Sequence, residues 1–153
     1  MSMSVITEYF QAIKSITGGN LPTMLAFLEK HGVFCNSQPR PSKYKKLPNK
    51  QCFKNAYKMA ERYPKDLIYV EGMAVYVVPV EHSWLIDYDG NVVDPTWDIP
   101  GTDYLGIPMK LSFVRVAILT RGYYGVFDEV GKSPIYKTPP PDFLQSVAIR
   151  KKS

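Results

Sequence analysis

Three residues in chain order carry the parts of an activated sulfur nucleophile: Cys52, His82 and Asp94. A thiolate is the attacking form of cysteine. An imidazole can hold it as an ion pair and later hand a proton to a leaving group, while a carboxylate orients the imidazole and stabilises its charged form. Each member sits in a suggestive setting. Cys52 opens a segment with helical periodicity, His82 begins the strand-like run His-Ser-Trp-Leu-Ile, and Asp94 lies in Val-Val-Asp-Pro-Thr-Trp. The set points to covalent acyl transfer through a thioester, which needs no cofactor.

The elements around the trio must bring its members together. Cys52, Phe53, Ala56, Met59, Ala60 and Tyr63 share one face at helical spacing, Pro64 stops the helix, and Asn49 is the expected N-cap. That places Cys52 in the first turn, where unpaired N–H groups and the positive end of the helix dipole favour a thiolate. The backbone N–H of Cys52 is the first candidate to receive an oxyanion, with Gln51 or Asn55 as the second donor. The hairpin through Asp87-Tyr88-Asp89-Gly90 decides whether Asp94 meets His82. A two-residue type I′ turn at Asp89-Gly90 pairs Leu85 with Asp94 and turns the carboxylate away. A type I turn followed by a glycine bulge pairs Asp87 with Asn91 and Trp84 with Asp94. Asp94 then lies diagonal to His82 on the same face, roughly 7–8 Å away at the backbone. A triad therefore predicts the bulged turn.

Apolar spacing predicts a first helix over 4–16 with Val5, Tyr9, Ala12, Ile13 and Ile16 on its docking face, ended by Gly18-Gly19. A second helix, capped by Asn20 with Pro22 near its first turn, carries Met24, Leu25, Phe27 and Leu28 and ends at Gly32; residues 33–50 read as loop. Strands are expected over 67–70, 73–80, 82–88, 91–96 and 111–120. Their connections are too short for crossover helices, so the expected class is α+β, with N-terminal helices and the cysteine-bearing helix packed on a mainly antiparallel sheet. Further on, 126–130 reads as another strand, the Pro-rich segment 134–141 as stiff chain, and Asp142 as the cap of a short helix through Phe143, Val147 and Ala148.

The length of 153 residues suits one domain over 1–153, and 45% hydrophobic with 13% aromatic residues excludes a disordered chain. The N-terminus has no basic stretch leading into an apolar one, and the apolar run 73–78 is far too short for a membrane span, so a cytoplasmic protein is expected. Two cysteines, Cys35 and Cys52, make a poor disulfide scaffold, and reduced thiols are expected. Within a net charge of +5, Arg40, Lys43, Lys45, Lys46 and Lys50 form a run without an acid. Such a run can contact phosphates or an acidic protein, but Tyr44 is its only aromatic and no nucleic-acid motif accompanies it. A solvated basic loop is the preferred reading, with nucleic acid a less favoured partner.

Other reactive residue types read as structural. Cys35 has no partner at useful spacing, His31 falls in the last turn of a helix, and Glu81 points to the opposite strand face from His82. Asp87 and Asp89 are turn residues, Asp98 is an alternative orienting acid, and Trp84 and Trp97 are core or cleft walls, with Trp84 also a tentative substrate contact. A zinc site is a weaker use of the trio, since three ligands of three types without paired Cys or His spacing is an uncommon set.

The pieces Cys52-Phe53-x-x-Ala56, His82-x-Trp84 and Asp94-Pro95-Thr96 together resemble the transglutaminase-like branch of the papain-like cysteine enzymes. The resemblance covers roughly 49–97, and Val70-Glu71-Gly72 falls where that family often has a glycine-containing strand. It implies a papain-like core with catalytic roles for Cys52, His82 and Asp94. Asn49-Lys50-Gln51 stands where many members carry a tryptophan or glycine, so no oxyanion donor carries over. The implied activity is hydrolysis of an amide in a protein or peptide substrate, by cleaving a peptide or isopeptide bond or deamidating glutamine. Crosslinking ranks lower because so short a chain has little surface left for an amine substrate. Acyl transfer with the same triad, in the arylamine N-acetyltransferase style, is one alternative. A non-catalytic basic adaptor, using 40–50 and the tail 150–152, is another.

Overall fold

Strand β2 (Ile68–Val75) is buried along its whole length, because it is paired on both edges and covered on both faces. The computed structural model describes residues 3–127 and 143–147. Its elements run α1 (Val5–Thr17), α2 (Thr23–His31), β1 (Val33–Cys35), α3 (Cys52–Arg62), β2, β3 (Pro79–Ile86), β4 (Val92–Val93), β5 (Asp103–Met109) and α4 (Leu111–Arg121). The architecture is α+β. The strands form one antiparallel sheet in the order β1-β5-β2-β3-β4.

The sheet curls until its two edges meet. Asn36, just past β1, donates its N–H to Gly90 O and accepts from Val92 N, both at 2.8 Å, beside β4. Alternation along the strands then sorts side chains into two layers. Ile68, Val70 and Ala74 pack inside the curl with Cys35, Trp84, Ile86, Val92 and Tyr104. Tyr69, Met73, Val75, Leu85, Ile107 and Met109 face outward, where Ala56, Met59 and Ala60 of α3, Ile6 and Phe10 of α1, and Leu25 and Leu28 of α2 cover them.

Two glycines make the inner layer possible. A Cβ on Gly106 would lie 2.4 Å from Val70 Cγ1 and 2.8 Å from the Trp84 ring, and one on Gly72 only 2.1 Å from the Leu105 carbonyl oxygen. The space a side chain would need is already occupied by the Trp84 indole and by β5. This need for close approach explains why Gly72 sits inside one continuous strand instead of separating two, as expected from sequence. The reversal falls instead at Tyr76-Val77-Val78.

Other expectations are corrected. Residues 111–120 are helical, as α4, since the chain packs Val114 inward with Leu111, Phe113, Ala117 and Ile118 against the core. Its Val and Ile content gave it strand texture, and tertiary packing overrode that propensity. The neighbouring strand β5 went unread because Gly106 and Pro108 look like breaks. Pro108 lies opposite Val70, beyond Gly106, the last residue that β1 pairs with. Strand β1 lies within the expected loop. Helix α1 docks by Ile6 and Phe10, with Val5, Tyr9 and Ile16 turned outward, and Ile16 is 86% exposed. Helix α2 starts at Thr23 with Pro22 at the cap, leaving Asn20 outside. Gln51 takes the cap position of α3, while the Asn49 side chain accepts from Lys46 Nζ at 2.6 Å. Residues 143–147 form no helix; Phe143 is buried and Leu144 bridges Met109. Val126 and Phe127 belong to no strand. The expectations for 128–130, the Pro-rich segment 134–141, Asp142 and Ala148 lie outside the described residues.

Candidate active site

The β3–β4 hairpin adopts the bulged register. Leu85 pairs with Val93 and Ile86 with Val92, Asp87 N donates to Asn91 O at 3.0 Å, and Gly90 takes φ 84°. Glycine enters that left-handed region at no steric cost. The Asp87 carboxylate secures the turn by accepting from Asp89 N and Asn91 N. Two residues beyond the Ile86–Val92 pair, Asp94 falls opposite Trp84 and diagonal to His82, and its Oδ2 lies 2.8 Å from His82 Nε2.

Asp94 is itself held from several directions. Its Oδ1 accepts from Thr96 N (3.0 Å) and Trp97 N (3.1 Å), while Tyr104 donates its hydroxyl to Oδ2 at 2.9 Å and accepts from Gly101 N. Arg40 donates to the carbonyls of Asp94 and Trp97, so this member of the basic run is a brace for the acid and not a solvated charge. Burial pushes the Asp94 carboxyl up, but the His82 hydrogen bond and charge, with the two N–H donors, hold it below the usual carboxylate value. Burial and the Asp94 charge push Tyr104 well above the usual phenol value, so its hydroxyl keeps its proton and remains a donor.

His82 is only 2% exposed. Trp97 stacks on its ring at 3.8 Å between centroids and 13° between planes, and Trp84 lies near-parallel at 5.9 Å. Burial opposes a charge on the ring, but its hydrogen bonding to Asp94 and Cys52, and the charges of both, outweigh it and raise the pKa to about 9. Nε2 is committed to Asp94, so Nδ1 is the nitrogen left for the Cys52 thiol. The site therefore joins Cys52, His82 and Asp94.

Cys52 is half-buried as the first residue of α3, where the first N–H groups of the helix have no intrahelical acceptor. Of the expected second oxyanion donors, Gln51 is exposed at the cap position and makes no cap hydrogen bond. Asn55 is buried with its amide N–H groups donated to Pro48 O (2.7 Å) and Thr96 Oγ1 (3.0 Å). Asn55 thus ties the start of α3 to the loop that grips Asp94. Trp84 is wholly buried, so it builds the site from behind instead of touching a substrate. Its indole N–H has no well-placed acceptor, and the neighbouring Cys35 sulfur is a weak one at best. Burial pushes the Cys35 thiol up to about 12, which suits an inert core residue. Asp98 is exposed, and the carboxylate that meets the imidazole is that of Asp94, so Asp98 does not orient it.

A second polar group lies on the outer face of β2. Glu71 is buried and accepts from Tyr69 OH (2.5 Å), Val126 N (2.8 Å) and Phe127 N (3.2 Å). Burial raises its carboxyl pKa against the pull of these donors. The group holds 126–127 close to Phe53, whose ring would touch a Cβ on Gly125. Sequence spacing carried no sign of Tyr104, Arg40 or the Glu71 clamp, since each acts across more than ten intervening residues or in an element that was not foreseen.

A groove of about 440 Å³ opens beside the triad. The hairpin residues Tyr76, Val77, Val78 and Val80 form one wall, and Trp97 and Asp98 the other. One Trp97 ring therefore covers His82 and lines the groove. Among the described residues, no three His, Cys, Asp or Glu side chains are arranged to hold a metal ion, and no helix is long and apolar enough to cross a membrane. Comparison with family models, curated proteins and solved structures finds no match to this chain.

Proposed function

We propose that this chain is a cysteine hydrolase of transglutaminase-like, papain-like character that opens an amide, by cleaving a peptide or isopeptide bond or deamidating glutamine. The observation that carries the reading is a buried imidazole bound to a buried carboxylate, with Cys52 close enough to help Asp94 raise its pKa to about 9. A structural histidine has no use for such a thiol at a helix start. The Cys52 thiolate attacks the amide carbon, and the C=O electrons move onto oxygen, which the N–H groups of the first turn of α3 stabilise. Collapse of this intermediate expels the amine, which takes the proton from His82 Nδ1, and leaves a thioester on Cys52. Neutral His82 then removes a proton from water, whose oxygen adds to the thioester. Thiolate departs with the acid product and the imidazolium is restored. Asp94 keeps the ring oriented and balances its charge throughout, while Trp97 keeps water off the His82–Asp94 bond. The groove beside Trp97 receives an apolar part of the acyl donor. Transfer to an amine in place of water would use the same thioester, and the products separate the two.

The test is alkylation of Cys52 by iodoacetamide at pH 7, followed by peptide mass spectrometry so that Cys35 is scored apart. His82→Ala is expected to slow the reaction at least about tenfold, since the thiolate is the reacting form. Equal rates in the two proteins would remove the basis for the reading.

A further inference from the structure

Apart from Arg40, which braces the Asp94 loop, the basic run lies along a flank of α3. Arg40 and Lys46 are spent on backbone carbonyls and Asn49. Lys43 and Lys45 instead stand over a concavity of about 220 Å³, opposite Lys58 and Arg62 of α3. Its apolar part is formed by Leu47, Met59 and Tyr63, and among the described residues no acidic one lines it. The nearest carboxylate contact is Lys58 with Glu61, a pair 4.0 Å apart on the open surface. Four cations thus line one concavity, a repulsive arrangement that an anionic ligand would relieve.

We infer that this concavity binds an acidic segment of a partner protein, with one aliphatic side chain entering between Leu47 and Met59 and carboxylates on either side reaching the four cations. The tyrosines argue against nucleic acid. Tyr63 sits edge-on to Tyr44 at 5.0 Å and 84°, while Arg62 lies over Tyr63 and Lys43 over Tyr44. These rings are already engaged and offer no open face on which bases can stack. The apolar floor, in turn, has no use for a bare phosphate. This binding does not depend on the catalytic reading. If that reading also holds, the partner is fixed between Lys58 and Arg62, about 9–15 Å along the α3 axis from Cys52 at a rise of 1.5 Å per residue, within reach of a connected substrate segment.

Fluorescence anisotropy on the full chain tests the site with a labelled peptide of glutamates around a central leucine. Controls are the same peptide with glycine at the centre and a single-stranded oligonucleotide of equal charge. We expect saturable, salt-sensitive binding of the leucine peptide. It should weaken at least about tenfold both in Lys58→Glu/Arg62→Glu and in Lys43→Glu/Lys45→Glu, typical of paired charges at an interface. The two variants alter different elements, and circular dichroism confirms that each is folded. No binding at low salt, affinity unchanged in both variants, equal affinity for the glycine peptide, or tighter binding of the oligonucleotide would each overturn the proposal.

Discussion

His82 is the residue on which the site turns, because every other polar group near it acts through its ring. Asp94 faces Nε2, Cys52 is left to Nδ1, and Trp97 seals one face against water. In Asp94→Asn the ring keeps a hydrogen-bond partner but loses the negative charge. An NMR titration of the His82 imidazole should then move from about 9 in the wild type down by more than a unit, toward the ordinary histidine value. An unchanged titration would mean that Asp94 does not set the charge state. Residue types at this scale were legible in the sequence: cysteine, histidine and aspartate announce their chemistry wherever they stand. Their support was not. Arg40 looked like one more solvated cation, and Tyr104 like any aromatic, because the hydrogen bonds that give them roles span 54 and 10 residues of chain.

Among the elements, the β3–β4 hairpin does most to assemble the site. Its sequence admitted two registers, and only the bulged one, in which Asp87 meets Asn91 and Gly90 takes a positive φ while Asp89 does not, brings Asp94 to the His82 face. The glycines of β2 and β5 matter as much, since Gly106 leaves room for Trp84 behind His82 and Gly72 lets the β5 backbone approach. Gly106→Ala forces a methyl group into Val70 and the indole, and is expected to destabilise the fold by about 3 kcal/mol, as overpacking of a well-filled core does. Gly18→Ala, at the open C-cap of α1 with φ 74°, should cost only about 1 kcal/mol. Urea denaturation of the two variants checks both figures; a Gly106→Ala protein as stable as the wild type would show that the inner layer has slack. Helix α3 and its start at Cys52 were readable from local periodicity. Strand β5 and helix α4 were not, because Gly106 and Pro108 are tolerated only by virtue of their neighbours, and the Val and Ile of α4 favour a strand until packing decides otherwise.

For the whole molecule, the buried pair links folding to pH. The His82 pKa is raised above its unfolded value near 6.5, so its contribution to stability is fully present below that pH and is lost as pH rises through about 9. The Asp94 pKa is lowered, so its contribution is present above the unfolded value near 3.8 and is lost as pH falls through the lower folded value. Melting temperature should therefore fall between pH 7.5 and 9.5. The fall should be much smaller in His82→Gln/Asp94→Asn, which carries no charge on either side chain; parallel curves for the two proteins would show that the pair is not the cause. The chain by itself determined the candidate residue types, the helix that presents the thiol, the α+β class, and a hairpin limited to two registers. These follow from side-chain chemistry, periodicity and turn preference, which act over a few neighbouring residues. The tertiary structure alone decided which register formed, that β2 runs unbroken through Gly72, that 111–121 is a helix, and that Tyr104 and Arg40 hold the acid. Each of those outcomes depends on contacts between segments far apart in the chain, where the curling of the sheet, and not any local preference, sets which groups meet.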